Sequence, residues 1–275
     1  MQVTKAGAGR TMKGRRAVGA GQFLVAVLLG AAALLPSIAR AELTLSAEAA
    51  YLKWKEVTDP VVEETGPLYG LGLAYTQNRD SGALFAYRGK LWGGQVDYEG
   101  ATLFGGTPVT NSTSSYAGLG NELQARWRKL DGYLDGVLGA GLDVWRRSLS
   151  SVQKEDYAIA YLRLGVESRT DDFSKWGVSI GLKYPIWTYE NAHLDDIGFD
   201  SNPILHPGGE LSPYASLGYR LTPKLQFVAF YDGFRFSKSP PVQVNEVAQG
   251  LGPATVVQPA SSMSIFGIRV EYLLR

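Results

Sequence analysis

The amino-acid sequence predicts an all-β fold: a ten-stranded antiparallel up-and-down transmembrane β-barrel with short periplasmic turns and long outer loops. Three observations predict it. Apolar residues recur at every second position over most of the chain, which is the period of a β-strand. The connections between successive segments alternate between short and long. One face of each clear segment carries no charge, as expected of a surface in contact with lipid.

The first 41 residues have the pattern of a secretory signal peptide, which leaves residues 42–275 as the predicted barrel domain. A basic stretch without acidic residues precedes the uncharged run "FLVAVLLGAAALL" (Phe23–Leu35). The sequence "ARA" (Ala39–Ala41) then has small residues at both positions that a signal peptidase reads. The uncharged run has 13 residues, whereas a helix needs about 20 to span a bilayer. An N-terminal membrane anchor is the alternative.

Composition excludes several classes of function. The chain has no Cys, which excludes disulfides, thiolate metal sites and a cysteine nucleophile. Six of the 27 Lys and Arg lie before Glu42 and none of the 26 Asp and Glu do, so the remaining chain has a net charge of about −5. No basic patch remains that would favour nucleic acid as a partner.

Ten segments are predicted as strands. In chain order they are Leu43–Lys55, Leu68–Gln77, Ala83–Tyr98, Tyr116–Lys129, Tyr133–Arg147, Tyr157–Glu167, Trp176–Trp187, Leu211–Leu221, Leu225–Ser237 and Met263–Leu274. The connections after the second, fourth, sixth and eighth strands are short: "NRDSG", "LDG", "SRTDDFSK" and "TPK". Those after the odd-numbered strands are longer, as in "EVTDPVVEETGP", "EGATLFGGTPVTNSTSS" and "SLSSVQKED". This alternation indicates a barrel with short turns at one end and long loops at the other.

The two faces of the strands differ in charge. In the six clearest strands the more apolar face holds 32 residues, none of them Lys, Arg, Asp or Glu, whereas the opposite face holds 33, of which 11 are charged. A Lys or Arg facing lipid at the membrane midplane costs about 2–4 kcal/mol. In the sixth strand this places Leu162, Leu164 and Val166 toward lipid, and Arg163 and Glu167 toward the lumen. The alternative is a soluble ligand-binding barrel with the leucines inside.

Charges on the inward faces are predicted to form a lumen charge network. Its members are Glu48, Glu122, Arg126, Arg128, Asp143, Arg163, Glu167, Lys183, Arg269 and Glu271. Side chains can fill a barrel of this size, and an unpaired buried ion is costly, so we expect these ions to pair. The functional alternative is a narrow ion-conducting path through the same residues.

Two further features follow from the strand ends and from the glycines. The aromatic residues next to the short turns are predicted to form a periplasmic girdle at the membrane surface; they are Trp127, Trp176, Tyr219 and Tyr272. The adjacent Gly93 and Gly94 in the third strand predict a β-bulge that shifts the alternation of faces.

The last segment, "SIFGIRVEYLLR", resembles the closing strand of Gram-negative outer-membrane β-barrel proteins. Its alternating residues are Phe266, Ile268, Val270, Tyr272 and Leu274. The closing strand of that superfamily usually ends in an aromatic residue, whereas here Arg275 is last. The resemblance covers the architecture of residues 42–275. It implies location in the cell outer membrane, contact with outer-membrane lipid, and the barrel assembly machinery as a partner during biogenesis.

Both histidines, His193 and His206, lie in the fourth outer loop, and Asp195, Asp196 and Asp200 are near them in sequence. Proteases of the omptin type are also ten-stranded outer-membrane barrels, with acidic residues and a histidine at the outer mouth. Their pattern includes Asp-x-His, whereas "HLDD" runs the other way here. General-base chemistry needs a base held within hydrogen-bond reach of its proton, and this spacing is not a recognised metal site. We therefore predict no catalytic residue, no metal and no cofactor.

These observations lead to three functional hypotheses. The first is a non-enzymatic barrel with a structural or interaction role through its outer loops, for an unknown loop ligand. The second is a narrow pore for small ions or solutes. The third is an omptin-like surface hydrolase that uses His193 and the acidic residues of its loop.

Overall fold

The computed structural model describes residues 2–5, 41–77, 83–101, 107–130, 134–168, 175–248, 250 and 252–274. The strands of this part of the chain are β1 (Gln2–Lys5), β2 (Ala41–Glu56), β3 (Val62–Gln77), β4 (Ala83–Ala101), β5 (Pro108–Leu130), β6 (Leu134–Ser148), β7 (Lys154–Ser168), β8 (Trp176–Asn191), β9 (Ile204–Leu205), β10 (Gly208–Glu210), β11 (Ser212–Thr222), β12 (Leu225–Ser237), β13 (Val242–Glu246), β14 (Gly252–Val257) and β15 (Ser261–Leu273). A short 3₁₀ helix, Leu194–Ile197, follows β8. Within the described ranges, no helix is long and apolar enough to cross a membrane.

Ten of these strands close into an antiparallel barrel. The order around the ring is β2, β3, β4, β5, β6, β7, β8, β11, β12 and β15, and β15 pairs with β2 to complete it. Closure removes the free sheet edge, so the ladder can satisfy the backbone hydrogen bonds of every strand where no water is present. The predicted fold class is confirmed.

A band of exposed apolar side chains surrounds the barrel. At its centre, Leu138, Leu164 and Leu182 lie side by side, because the register pairs Leu138 with Leu164 and Leu164 with Leu182. Leu164 is 67% exposed and the other two are also exposed. A soluble barrel would bury such side chains, so the soluble alternative is wrong and these leucines face lipid.

The barrel has two different ends. The loop end carries the connections that follow β2, β4, β6, β8 and β12, and the turn end carries those that follow β3, β5, β7 and β11. At the loop end the outward residues become charged. Lys53 and Glu63 form an outward ion pair with Nζ and Oε1 2.7 Å apart, and Arg146 Nε lies 2.6 Å from Asp156 Oδ1. Hydrocarbon excludes such groups, so the strand segments from these pairs to the loop end stand outside the lipid band.

The strands at the loop end are longer than the sequence predicted. Only residues 57–61 connect β2 and β3, and β5 begins at Pro108 instead of Tyr116. The predicted loops were too long because the hairpins continue beyond the lipid band, where polar residues replace the outward apolar ones. The last two loop-end connections contain further strands, β9 and β10 in one and β13 and β14 in the other. The predicted turns at 78–82, 131–133 and 169–174 lie outside the described residues.

The predicted bulge at Gly93 and Gly94 is wrong. The ladder stays in register on both sides of these residues, with Gly93 opposite Ala117 and Gly94 opposite Tyr116. A Cβ on Gly94 would overlap the carbonyl oxygen of Pro67. Glycine is therefore required at this point because a neighbouring backbone approaches closely.

A bulge occurs instead between β7 and β8. Ala160 pairs with Trp187 and Tyr161 pairs with Pro185, so Ile186 has no opposite residue. The extra residue reverses the alternation, and Trp187 is 47% exposed although the sequence pattern placed it on the inward face. Proline cannot donate to the ladder, which favours an irregularity next to Pro185.

One described strand lies within the predicted signal peptide. β1 pairs antiparallel with β14, with Gln2 opposite Val257. Residues 6–40 lie outside the described residues, and Arg275 does as well. The removal of residues 1–41 therefore stays a prediction.

A lysine at the centre of the lipid band tests this orientation. We expect Leu164→Lys to lower the free energy of unfolding by about 2–4 kcal/mol, because it places an ammonium group in hydrocarbon. The control is Thr113→Lys, at an exposed position of β5 beyond the band, for which we expect a change within about 0.5 kcal/mol. Urea unfolding in lipid vesicles, followed by tryptophan fluorescence, measures both. Equal effects would contradict a lipid-facing Leu164.

Candidate functional site in the barrel lumen

The lumen contains three layers stacked along the barrel axis. An ionic layer around a cavity lies toward the turn end, an aromatic layer lies in the middle, and a group of carboxylates around one arginine lies at the loop end. Each layer is built from inward residues of several strands, because alternate residues of every strand point inward.

The middle layer, which we call the aromatic plug, is made by buried rings from six strands. They are Trp54, Trp92, Tyr116, Trp145, Tyr157, Phe234 and Phe236. Trp145 is central: its ring centroid lies 5.1 Å from that of Tyr157, 6.2 Å from Phe234 and 6.3 Å from Trp92. Contacts at these distances are typical of packed aromatic clusters. The rings therefore fill the barrel cross-section.

A cavity of about 990 Å³ lies between the aromatic plug and the turn end. Its lining includes Thr44 and Pro223 near the turn end and Tyr161 and Asp143 further inside. A separate void next to Trp145 and Phe234 has a volume of about 10 Å³, which is about the space that one water molecule needs. The plug thus separates the cavity from the loop end.

The deepest part of the ionic layer is organised around Glu122. Arg163 Nη1 lies 3.1 Å from Glu122 Oε1, and the Tyr161 hydroxyl donates a hydrogen bond of 2.9 Å to Glu122 Oε2. The guanidinium of Arg163 also stacks on the ring of Tyr214, with its Cζ 3.6 Å from the centroid. Gln124 donates a further hydrogen bond to Glu122. This carboxylate is therefore held by several partners in a buried position.

The other predicted members of the network lie as follows. Arg126 Nη1 is 3.1 Å from Glu167 Oε1, and Arg269 Nε is 2.7 Å from Glu271 Oε1. Glu48 lies between two cations, 4.0 Å from Lys90 Nζ and 3.9 Å from Arg269 Nη1. Asp143 is buried and lines the cavity. The side chain of Arg128 lies outside the described residues.

Sequence reasoning missed the partner of Lys183. This lysine is buried, and its Nζ lies 2.6 Å from Asp232 Oδ1. The faces of β12 were not assigned from the sequence, so Asp232 was not placed in the lumen. Asp232, Phe234 and Phe236 are alternate residues of β12 and therefore share one face, and both phenylalanines are buried. This shared face is the signal that would have placed Asp232 in the lumen.

The predicted girdle residues lie on the outer surface near the turn end. Trp176 and Tyr219 are opposite each other in the ladder, with ring centroids 4.8 Å apart. Trp127 and Tyr272 are exposed. Such rings favour the boundary between hydrocarbon and water, with their polar atoms toward the water.

The layer at the loop end, which we call the outer carboxylate cluster, consists of Glu56, Glu64, Glu155 and Glu190 around Arg147. All five side chains are at most 1% exposed. Arg147 Nε and Nη2 donate to Glu64 Oε1 at 3.0 and 2.8 Å, and Nη1 donates to Glu56 and Glu155 at 2.8 and 2.7 Å. Its guanidinium Cζ lies 5.3 Å from the centroid of the Trp54 ring. The sequence did not predict this layer, because all four glutamates lie in segments that were assigned to loops.

A cap with its own small core covers the loop end. The 3₁₀ helix and β9 pack against the β13–β14 hairpin through buried residues that include Leu194, Phe199, Leu205, Val244 and Val256. Asp200, which follows the 3₁₀ helix, links this segment to β13. It accepts hydrogen bonds from the backbone N–H of Asn245 at 2.9 Å and from its side-chain amide at 2.6 Å. These hydrogen bonds hold the pKa of Asp200 below its usual range, because they favour the charged carboxylate.

The two histidines contact different residues. His193 Nε2 is 2.8 Å from Asp156 Oδ2, and Asp156 is also held by Arg146. Although partial burial opposes it, hydrogen bonding from Arg146 and His193 lowers the pKa of Asp156. His206 Nδ1 donates to the carbonyl oxygen of Thr188 at 2.6 Å.

The loop acids do not gather around His193. Asp196 Oδ2 lies 4.0 Å from His193 Nδ1 and is exposed, while Asp200 bonds to the hairpin. In the part of the chain that the structure describes, no three His, Asp or Glu side chains are arranged to hold a metal ion. The contact of His193 with Asp156, from a different strand, was not predicted from the sequence.

The closed ten-stranded ladder, the lipid band and the polar lumen define an outer-membrane β-barrel protein. No family model matches the sequence, and no curated protein matches it. Solved structures that are similar include the outer membrane protease OmpT from Escherichia coli, with 9% identity and a TM-score of 0.47 over 85% of this chain and 96% of that chain. Neisserial surface protein A has 11% identity and a TM-score of 0.34, over 84% of this chain and 97% of that chain. The translocator domain of autotransporter NalP from Neisseria meningitidis has 14% identity and a TM-score of 0.37, over 92% and 94%.

Two adjacent arginines give a matched test of the outer carboxylate cluster. We expect Arg147→Met to lower the free energy of unfolding by about 3–5 kcal/mol, because it leaves buried carboxylates without their cation. The control is Arg146→Met, which removes an outward and exposed ion pair and should cost about 0–1 kcal/mol. Urea unfolding in lipid vesicles measures both variants. A small effect for Arg147→Met would contradict the role of this arginine as the centre of the cluster.

Proposed function

We propose that the protein is a non-enzymatic, non-conducting barrel of the cell outer membrane, with a structural or interaction role through its outer loops. Lipid contacts its apolar band, and the barrel assembly machinery inserts it through its closing strand. Nucleic acid is not a partner. The observation that carries the proposal is the aromatic plug, which fills the lumen between the cavity and the loop end.

The plug supports a closed lumen because conduction needs a continuous path for hydrated ions. Trp54 is completely buried, and Trp145 and Tyr157 are nearly so. The void beside these rings is only about 10 Å³, so a hydrated ion would have to shed its hydration shell to pass them. On the turn-end side of the plug, Arg163 pairs with Glu122 and Lys183 pairs with Asp232, as in a network that stabilises the fold.

The cap supports an interaction role. A loop with its own hydrophobic core and a hydrogen-bonded link such as Asp200 to Asn245 presents a defined surface. An ordered surface loses less conformational entropy on binding than a flexible loop does, so it binds a partner more tightly for the same contacts.

Conductance measurements test the closed lumen. We expect protein purified from membranes to be silent in a planar bilayer, and the double variant Trp92→Ala, Trp145→Ala to show discrete openings, because two central rings are removed from the plug. The control is Trp176→Ala, which removes an exposed ring from the outer surface and should stay silent. Stable channels in the unmodified protein would refute the proposal and favour the pore.

The surface hydrolase remains the alternative with a specific contact in its favour, the pair His193 and Asp156. Against it, Arg146 engages both oxygens of Asp156, which weakens the ability of this carboxylate to orient and polarise an imidazole. We therefore expect no peptidase activity in the purified protein on a mixture of unstructured peptides. Hydrolysis that disappears in His193→Ala but persists in His206→Ala would show that the protein is an enzyme.

A further inference from the structure

The cap contains a strand edge whose partner, in the part of the chain that the structure describes, is β1. β14 pairs with β13 along one edge and with β1 along the other, with Gln2 opposite Val257 and Lys5 opposite Ala254. A strand edge presents a row of backbone N–H and C=O groups, which is a ready template for another strand. What occupies this edge in the membrane therefore decides what the cap can bind.

The contacts of β13 show which backbone groups this edge of β14 presents. Asn245 donates its N–H to Asp200, and its carbonyl oxygen accepts the N–H of Asp200. Both backbone groups of Asn245 therefore point away from β14, and so do those of the alternate residues of β13. Asn245 is opposite Pro253, so the residues alternate with Pro253 likewise point away from β13. The N–H and C=O groups of Thr255 and Val257 thus lie on the edge that β1 occupies.

Membrane topology prevents residues 2–5 from keeping this place. β2 begins at Ala41 at the turn end, whereas the cap covers the loop end. Residues 6–40 would have to cross either the aromatic plug, where the void beside the rings is about 10 Å³, or the lipid, which admits no unpaired backbone. Their uncharged run of 13 residues is shorter than the roughly 20 that a spanning helix needs. The predicted removal of residues 1–41 has the same consequence, so the edge is open in the inserted protein.

We propose that the β14 edge accepts an extended segment of a partner protein as an added antiparallel strand. This inference rests on the interaction role proposed above and specifies the kind of partner. β1 has four residues and pairs with this edge along its whole length, so the edge has the geometry that a strand needs. In strand addition, main-chain hydrogen bonds supply the affinity and alternate side chains supply the specificity.

The residues of the cap indicate two further properties of the partner segment. Ala254 and Val256 belong to the core of the cap, and directly opposite residues of a ladder lie on the same face. The partner residue opposite Val256 therefore extends this core and is apolar. Residues 192–203 and 238–258, which contain most of the cap, have four Asp and Glu and one Lys. Their negative charge favours a partner segment that carries positive charge.

Binding of a synthetic peptide to protein purified from outer membranes tests the proposal. The probe is the peptide MQVTKAGAGR, residues 1–10, with a fluorophore at its C-terminus, because it contains the segment that pairs with β14 and two basic residues. We expect fluorescence anisotropy to show saturable binding with one site per chain, since each chain has one such edge among its described strands.

Two methylated forms of the peptide are matched to each other. N-methylation of Gln2 and Thr4 removes the N–H donors that face Val257 and Thr255, and should weaken binding at least about tenfold. N-methylation of Val3 and Lys5 removes the same number of donors from the opposite edge of the peptide. That edge faces water in the complex, so this form should bind within about twofold of the unmodified peptide.

Two proline variants test the same edge from the side of the protein. Thr255→Pro removes an N–H from the edge and leaves the ladder with β13 intact, so it should weaken binding of the unmodified peptide at least about fivefold. The control is Gln243→Pro, which removes an N–H from the opposite edge of the same hairpin. Both variants lose the same side-chain hydrogen bond, since Gln243 Nε2 donates to Thr255 Oγ1. Gln243→Pro should leave binding unchanged.

Several results would overturn the proposal. They are absence of peptide binding, equal loss of binding in the two methylated forms, and equal loss in the two proline variants. A dimer that dissociates in Thr255→Pro would show that the edge pairs with a second copy of this chain instead. If a proline variant does not fold, as judged by circular dichroism, the methylated peptides decide alone. Channel or peptidase activity would refute the proposed function, whereas absent peptide binding would refute only the strand-accepting edge.

Discussion

The hydrocarbon of the membrane accepts neither charged side chains nor unpaired backbone groups, and the rest of this structure depends on that constraint. The ladder must close, which β12, β15 and β2 accomplish. Every charge within the lipid band must then turn inward, as Arg163 and Lys183 do. A narrow interior crowded with ions must in turn neutralise itself, which gives the pairs of Glu122 with Arg163 and of Asp232 with Lys183.

The same constraint explains which parts of the fold could be predicted from the sequence. Within the lipid band, alternation is strict because a charge on the outer face is costly, so Leu162 and Leu164 could be placed outside and Arg163 inside. The constraint ends where the band ends. Beyond Lys53 and Arg146 both faces of a strand can be polar, and the pattern then looks like a loop although the ladder continues.

The layers of the lumen were predictable only in part, for related reasons. Charges inside the lipid band stood out against an apolar background. The carboxylates at the loop end did not, because Glu56, Glu64, Glu155 and Glu190 lie among other polar residues. The aromatic plug was hidden for another reason. Rings such as Trp145 and Phe234 suit either face of a membrane strand, so only their shared depth in the barrel identifies them as one layer.

Arg146 and Arg147 are consecutive, and they occupy opposite surfaces of the same strand. A slip of β6 by one residue against its neighbours would exchange inward and outward positions. In one of the two directions the slip would also carry Arg146 into the place of Arg147, so the buried glutamates would still meet a guanidinium. This part of β6 therefore does not distinguish the correct strand register from that shifted register during assembly. Discrimination between correct and shifted pairing must come from the other half of the strand, where the same slip would deliver Asp143 to the hydrocarbon.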